Sequence, residues 1–268
     1  MSFAELMTLE PIALDLVRGT APVYPWGRVY GGLVVAQALR AAAGTVDPAH
    51  RVHSLHAYFI RGGTSDEPIA YEIDRIRDGR SFLTRRVVAR QSSGAILNLD
   101  ASFQTEEAGQ ANVQIEHLPE NLPDPEALPD EGWSRLLDNR AVPLADRRGR
   151  ARAWLKMRES LGDDPVLQAC GLAYASDDVP IDACVRLHPR CPPPEERNAE
   201  YDVFMSASLD HAIWFHRPFR ADEWMLHDVS SYGLGGARGL SIARLFARDG
   251  RHVATVTQEC LLRERRIA

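Results

Sequence analysis

The sequence predicts an α+β fold built from two similar units, each with one buried helix and an antiparallel sheet. The residues after the Gly31-Gly32 pair are nearly all small and apolar, which is typical of a helix enclosed on most sides. Segments of alternating polar and apolar residues follow it, as expected of strands. The same order recurs in the second half of the chain. This repetition indicates duplication of a unit of about one hundred residues, an ordinary domain size.

The first unit spans residues 1–104. Apolar residues recur at helical spacing near its start, so we expect a short amphipathic helix over residues 3–17. The buried helix is predicted over Gly31–Val46 and ends at Asp47-Pro48. Four strands bounded by turn residues are then predicted, over Arg51–Ile60, Ile69–Arg77, Phe82–Gln91 and Ala95–Gln104.

Residues 105–150 are predicted to link the two units. The stretch up to residue 131 is acidic and rich in proline, and it has few large apolar residues. A basic run over residues 147–153 follows. We interpret it as a solvated stretch beside the linker, with a phosphate or nucleotide clamp as the alternative.

The second unit spans residues 151–268. A second apolar helix of small residues is predicted over residues 165–177, with Asp163 and Asp164 as candidate N-caps. Four strands follow, over Ser206–Phe215, Glu223–Tyr232, Ala237–Arg248 and His252–Arg263. The segment from Ser54 to Arg61 also resembles the segment from Ser208 to Arg217. A curved antiparallel sheet around one helix is the hotdog fold, so the pattern predicts a double hotdog of two fused units.

Composition excludes several classes of function. The 268 residues carry a net charge of −6, which gives no indication of nucleic acid or of an anionic membrane as a partner. The four cysteines show neither a CxxC pair nor zinc-binding spacing and are interpreted as reduced thiols. We find no signal-peptide pattern, and the longest apolar run is too short to span a bilayer. We therefore expect a cytoplasmic protein.

Several stretches resemble the acyl-CoA thioesterase II (TesB-like) family. They are Tyr30–Leu39, Val52–Arg61, Arg77–Phe82, Asp210–Arg217, Ala237–Gly239 and Val256–Glu259, and matches run from residue 3 to residue 263. The resemblance implies a double hotdog fold and hydrolysis of acyl-CoA to free acid and CoA. It also implies a homo-oligomer, a dimer or larger.

The resemblance identifies three candidate catalytic residues. The family carries an Asp on its second central helix, a Thr or Ser two residues before an Asp-His pair, and a Gln near the end of the last strand. Asp177, Ser208 and Gln258 match these three elements. Asp178 follows Asp177 directly and precedes Val179-Pro180, so it is the alternative for the acidic position.

Thioester hydrolysis needs an activated water and stabilisation of the developing oxyanion. A carboxylate in apolar surroundings has a raised pKa that suits a general base. We predict that Asp177 deprotonates water and that Ser208 and Gln258 hold the water or the carboxylate. A backbone N–H of Gly31 or Gly32 is the candidate oxyanion donor. Because a thiolate leaves readily, we expect no cofactor, metal or covalent nucleophile; acyl-CoA is the substrate.

Two other functions are compatible with the sequence. One is a non-catalytic acyl-CoA-binding protein. The other is an enoyl-CoA hydratase of the hotdog type, which ranks lower because that reaction typically uses an Asp/His pair and no His lies near Asp177 in sequence. His53 and His56 are expected to face opposite ways on a strand. Together with His211 and His216 they are interpreted as packing or hydrogen-bonding residues rather than metal ligands.

Overall fold

The computed structural model of the protein describes residues 1–193 and 200–265. In these residues thirteen strands form one sheet, and every neighbouring pair runs antiparallel. The strands are β1 Glu10–Ala13, β2 Leu16–Gly19, β3 His50–Phe59, β4 Ile69–Asp78, β5 Phe82–Gln91, β6 Gly94–Thr105, β7 Leu137–Ala141, β8 Arg150–Met157, β9 Phe204–Ser208, β10 Asp210–Phe215, β11 Met225–Gly235, β12 Arg238–Ala247 and β13 His252–Glu264. The helices are α1 Phe3–Leu6, α2 Gly31–Ala43, α3 Pro165–Ser176, α4 Pro180–Leu187 and α5 Glu200–Val203, with a 3-10 turn at Pro125–Ala127.

The strand order is the same in both halves when it is followed outward from the centre. The full order is β1-β2-β4-β5-β6-β3-β10-β13-β12-β11-β8-β7, and β9 pairs separately with β13. Strands β3 and β10 meet in the middle, and each begins a series of the same connectivity. This arrangement is the double hotdog that the sequence predicts, with the sheets of the two units joined into one.

The register of β3 and β10 brings the halves together on one buried face. His211 lies opposite Ala57, and Ile213 lies opposite Leu55, and all four residues are buried. Strand β13 lies on the other side of β10, where Thr257 faces Ala212. Because side chains alternate along a strand, the next residue of β13, Gln258, points to the same buried face as His211.

Helix α2 lies against the sheet of the first half and is largely buried, as its small apolar residues predict. It packs on β5 and β6 and against α3, and its residues from Gly32 to Leu39 are buried. The buried Gln37 donates hydrogen bonds to the carbonyls of Leu6 and Thr20 and accepts one from the Tyr71 hydroxyl. Its polar groups are therefore paired inside the core, as burial requires.

The prediction of a helix over residues 3–17 is wrong for most of that stretch. Helix α1 ends at Leu6, and a hairpin of β1 and β2 follows. Asp15 adopts the left-handed conformation, with φ 56°, at the turn of this hairpin. Ile12 and Leu14 are exposed, so the apolar residues of the segment do not form the single buried face that a helix here would need.

Two strands lie where the sequence predicts linker or solvated chain. Strand β7 belongs to the stretch 105–150 and pairs with β8, so the last part of that stretch is sheet. Strand β8 overlaps the basic run 147–153. Its Ala151 and Ala153 are buried, while Arg150 and Arg152 form ion pairs with Asp228. These two arginines therefore form ion pairs with a neighbouring strand of the sheet.

Of the helices in the described part of the chain, none combines the length and the apolar character needed to span a bilayer.

Candidate active site

Asp177 lies at a break between two helices. It is the C-cap of α3, and α4 begins three residues later at Pro180, whose ring suits the first turn of a helix. The break lets the Asp177 side chain leave the helix and enter the space between α3 and the start of α2. The residue is only 7% exposed. Helix α4 is not among the elements predicted from the sequence.

The start of α2 approaches the Asp177 carboxylate closely. A Cβ atom on Gly31 would lie 2.6 Å from Oδ2 of Asp177, and one on Gly32 would lie 2.5 Å from the Tyr174 carbonyl oxygen. Only glycine leaves room for this approach. The backbone N–H of Gly32 is hydrogen-bonded to the carboxylate. Because helix N-termini carry partial positive charge, α2 favours negative charge at this point.

Burial and neighbouring groups have opposite effects on the pKa of Asp177. Removal of the carboxyl group from water is the largest cause of a raised pKa, and the nearby Asp178 also raises it; the net effect of all neighbours is a pKa of about 7 instead of the ordinary 3.8. Hydrogen bonds from Ser208, the Gly32 backbone and Gln258 lower the pKa and offset part of that effect. The result is a carboxylate whose pKa suits proton transfer near neutral pH.

Ser208 and Gln258 extend from Asp177 in a hydrogen-bonded series. The Ser208 hydroxyl donates to Oδ1 of Asp177 at 2.9 Å, and Nε2 of Gln258 donates to Oγ of Ser208 at 2.9 Å. Ser208 ends β9 and lies opposite Cys260 of β13, two residues beyond Gln258. The structure therefore brings together the three residues that the family resemblance identifies.

His211 continues the series behind Gln258. Its Nδ1 lies 2.6 Å from Oε1 of Gln258, and its Nε2 lies 2.8 Å from Oγ of Ser176. The ring is fully buried, and burial lowers its pKa to about 4. From the sequence, His211 is expected only to pack or to form hydrogen bonds. Its link to Gln258 depends on the pairing of β10 with β13, which no local sequence signal reveals.

Asp178 contacts different residues from Asp177. Its two carboxylate oxygens accept hydrogen bonds from Nε1 of Trp133 at 2.5 Å and from Nδ2 of Asn139 at 2.6 Å. Burial raises the pKa of Asp178 as well. The two acids thus face opposite sides of the helix break, and only Asp177 contacts Ser208. This geometry favours Asp177 over Asp178 as the base.

The equivalent positions of the first unit lack this polar series. Gly44 is the C-cap of α2, where Asp177 is the C-cap of α3. Ala57 lies directly opposite His211, and Leu99 pairs with Ala57 on the neighbouring strand. These residues are glycine or apolar, so the pseudo-symmetric site has no acid and no amide. The asymmetry agrees with one working site, to which the first unit contributes the start of α2.

The remaining histidines singled out in the sequence lie apart from this series. His53 is hydrogen-bonded to the Ser102 hydroxyl at 2.8 Å, and His56 packs edge-on against the Trp214 ring. Within residues 1–193 and 200–265 there is no cluster of three or more His, Cys, Asp or Glu side chains arranged to hold a metal ion.

Comparisons with known proteins agree with the fold and the resemblance. A family model described as the acyl-CoA thioesterase N-terminal domain matches residues 20–104, and one described as the acyl-CoA thioesterase C-terminal domain matches residues 115–262. Acyl-coenzyme A thioesterase 8 of Mus musculus is 34% identical over 290 residues, covering 96% of this chain and 88% of that protein. Acyl-CoA thioesterase 2 of Haemophilus influenzae is 34% identical over 283 residues, covering 96% of both chains.

Solved structures give the same result. The acyl-CoA thioesterase II TesB2 of Mycobacterium marinum is 38% identical, with a TM-score of 0.83 over 100% of this chain and 99% of that chain. A hot dog fold protein of Alicyclobacillus acidocaldarius is 16% identical, with a TM-score of 0.79 over 97% of both chains, and supports the fold alone. The chain belongs to the acyl-CoA thioesterase family and has its double hotdog fold.

Proposed function

We propose that the protein hydrolyses acyl-CoA thioesters to free acid and CoA, with water activated by Asp177. The observation that carries this proposal is the buried Asp177 carboxylate, which lies against the start of helix α2 and accepts a hydrogen bond from Ser208. Membership of the family supports the reaction, because the similar proteins are named acyl-CoA thioesterases.

The proposed chemistry uses Asp177 as a general base. Ionised Asp177 removes a proton from water as the water oxygen adds to the thioester carbonyl. The negative charge that develops on the carbonyl oxygen lies near the start of α2, where the first backbone N–H groups have no partner within the helix. We assign the Gly31 N–H to this oxyanion and the Gly32 N–H to Asp177. The tetrahedral intermediate then collapses, the C–S bond breaks, and Asp177 returns its proton to the CoA thiolate.

The hydrogen-bonded series explains how a buried carboxylate can stay ionised near neutral pH. Ser208 donates directly to Asp177, and Gln258 supports Ser208 from behind. Hydrogen bonds to an ionised group are stronger than those between neutral groups. Ser208 and Gln258 therefore fix the carboxylate and limit the rise of its pKa. A pKa near the working pH is the optimum for a general base.

An assay with acyl-CoAs of several chain lengths and a thiol reagent tests the proposed reaction. Release of free CoA is the expected result. Loss of enoyl absorbance from an enoyl-CoA without thiol release would instead indicate hydration. Binding without either change would indicate an acyl-CoA-binding protein. A hydratase of the hotdog type would use an Asp/His pair for catalysis. The ring nitrogens of the buried His211 instead contact Gln258 and Ser176, so His211 does not pair with an Asp.

Three further properties belong to the proposal. The reaction as written needs no metal or cofactor, so we expect full activity after dialysis against EDTA. We propose a cytoplasmic location, supported by four cysteines that are all unpaired, as in reducing compartments. We also propose a homo-oligomer, a dimer or larger. The resemblance to the family supports this, and light scattering tests it.

A further inference from the structure

When Asp177 is ionised, the donor and the acceptor are fixed in each hydrogen bond that links Asp177, Ser208 and Gln258. Ser208 has a single hydroxyl hydrogen, and an ionised carboxylate can only accept. That hydrogen therefore goes to Oδ1 of Asp177, 2.9 Å away. Oγ of Ser208 must then accept from its other neighbour. Gln258 can satisfy it only by presenting its amide N–H, at 2.9 Å.

This orientation of Gln258 determines which nitrogen of His211 carries the proton. With Nε2 toward Ser208, Oε1 of Gln258 faces Nδ1 of His211 at 2.6 Å. The amide oxygen can only accept, so Nδ1 carries the hydrogen. A neutral imidazole has one N–H, so Nε2 is bare and accepts from the Ser176 hydroxyl at 2.8 Å.

The opposite orientation of the Gln258 amide also allows a continuous set of hydrogen bonds, but it does not stabilise the ionised form of Asp177. If the amide were turned around, Oε1 of Gln258 and Oδ1 of Asp177 would compete for the one hydrogen of Ser208. His211 would then accept at Nδ1, and the Ser176 hydroxyl would donate to the Ala173 carbonyl, 3.1 Å away. One buried acceptor beside Asp177 would have no donor, which is costly in a buried site. The tautomer of His211 thus selects between two arrangements of the amide.

We propose that His211 is a positioning residue for the hydrolysis: its Nδ1–H holds the Gln258 amide so that Ser208 donates to Asp177. This inference rests on the proposed function. His211 lies on the inward face of β10, where the small side chain of Ala57 opposite leaves room for the ring. Full burial lowers the pKa of His211 to about 4, so the ring is neutral at pH 7 and has one N–H to assign.

Other titratable groups near the series come from neighbouring elements. His227 of β11 lies close enough to His211 for charge on the two rings to be mutually unfavourable, and burial lowers its pKa to about 3. Asp178, at the helix break, raises the pKa of Asp177. Asp177 in turn raises the pKa of the buried Tyr30, at the start of α2. These groups are unchanged in the variants below, so differences between variants report on His211.

The first test compares two replacements of His211. His211→Asn places an amide N–H near the position of Nδ1 and can still donate to Gln258, whereas His211→Leu cannot. We expect His211→Leu to lower kcat by about tenfold to a hundredfold with KM little changed, because a buried amide oxygen loses its donor. His211→Asn should restore kcat to within roughly threefold of wild type, since the donor is retained.

The pH profile of kcat distinguishes positioning from a purely structural effect. In His211→Leu the amide is free to turn, so Ser208 donates less to Asp177 and the pKa of Asp177 rises. The acid limb of the profile should therefore move to higher pH in His211→Leu and not in His211→Asn. The matched control is His56→Leu, at an exposed histidine on β3. It should leave kcat and its pH profile unchanged. Equal kcat and pH profiles in His211→Leu and wild type would overturn the proposal.

A second measurement does not depend on activity or on the folding of a variant. Nitrogen-15 NMR of the wild-type protein with labelled histidine reports which ring nitrogen of His211 carries the proton. We expect the proton on Nδ1 at pH 8, and a proton on Nε2 would overturn the proposal. Wild-type enzyme that releases no CoA from any acyl-CoA would refute the proposed function instead, so the two failures are distinguishable.

Discussion

Replacing Asp177 with Asn should alter the pH dependence of stability in a way that follows from burial of the carboxyl group. Its pKa is raised from 3.8 to about 7 in the folded protein. Between these values the folded state binds more protons than the unfolded chain, so the free energy of unfolding falls as pH rises. Each pH unit in this window costs about 1.4 kcal/mol. Between pH 5 and pH 8 this group should therefore remove about 3 kcal/mol from the wild-type stability, an order-of-magnitude figure.

The Asn variant has no carboxyl group to ionise at this position, so it should not show this loss. Urea unfolding of both proteins at pH 5, 6, 7 and 8 gives the difference between their free energies of unfolding. This difference should grow in favour of the variant by about 3 kcal/mol from pH 5 to pH 8, with most of the change below pH 7. Titrating groups that do not interact with Asp177 are common to both proteins and cancel, and the charge of Asp178 is the neighbouring contribution that changes. A difference that stays constant with pH would refute a raised pKa at Asp177.

Three further predictions follow from the site geometry. Ser208→Ala should lower kcat about tenfold to a hundredfold and move the acid limb of the pH–rate profile to higher pH, because Asp177 loses a charge-assisted hydrogen bond; an unchanged limb would count against the contact. Gly31→Ala should lower both thermal stability and turnover, because its Cβ would lie 2.6 Å from Oδ2 of Asp177. Gly44→Ala, at the other end of α2, is the control. The nearest atom to its Cβ would be 3.4 Å away, so both stability and turnover should be retained. Turnover measured before and after dialysis against EDTA should be equal, and a loss restored by added metal would contradict a reaction that uses only side chains and water.

Much of the fold could be predicted because hydrophobic periodicity is a local signal. The strands from β3 to β6 and the helix α2 lie within a few residues of their predicted positions. The hairpin β1–β2 could not be recognised, because it depends on a left-handed Asp15 whose carbonyl accepts a hydrogen bond from the Ile73 N–H of the distant strand β4. Strand β8 is difficult to recognise because of its arginines, which pair with Asp228 on a neighbouring strand.

In the candidate site, only the residues that match the family pattern could be predicted from the sequence. Asp177, Ser208 and Gln258 are separated by tens of residues, and nothing in their local sequence indicates that they meet. Their contact depends on the helix break before Pro180 and on the pairing of β9 with β13. The contact of His211 with Gln258 cannot be predicted from the sequence, because it requires the strand register. Long-range pairing is therefore what the sequence alone could not supply.

The most direct test of the account compares two neighbouring acids in one assay. Asp177→Asn and Asp178→Asn are each incubated with a medium-chain acyl-CoA and a thiol reagent, and initial rates of CoA release are measured with folding checked by circular dichroism. Asp177→Asn should lose at least about a hundredfold in kcat, the usual contribution of a general base. Asp178→Asn, whose side chain is held by Trp133 and Asn139, should keep most of its turnover. Near-normal turnover in Asp177→Asn, or a larger loss in Asp178→Asn, would contradict the assignment of the base.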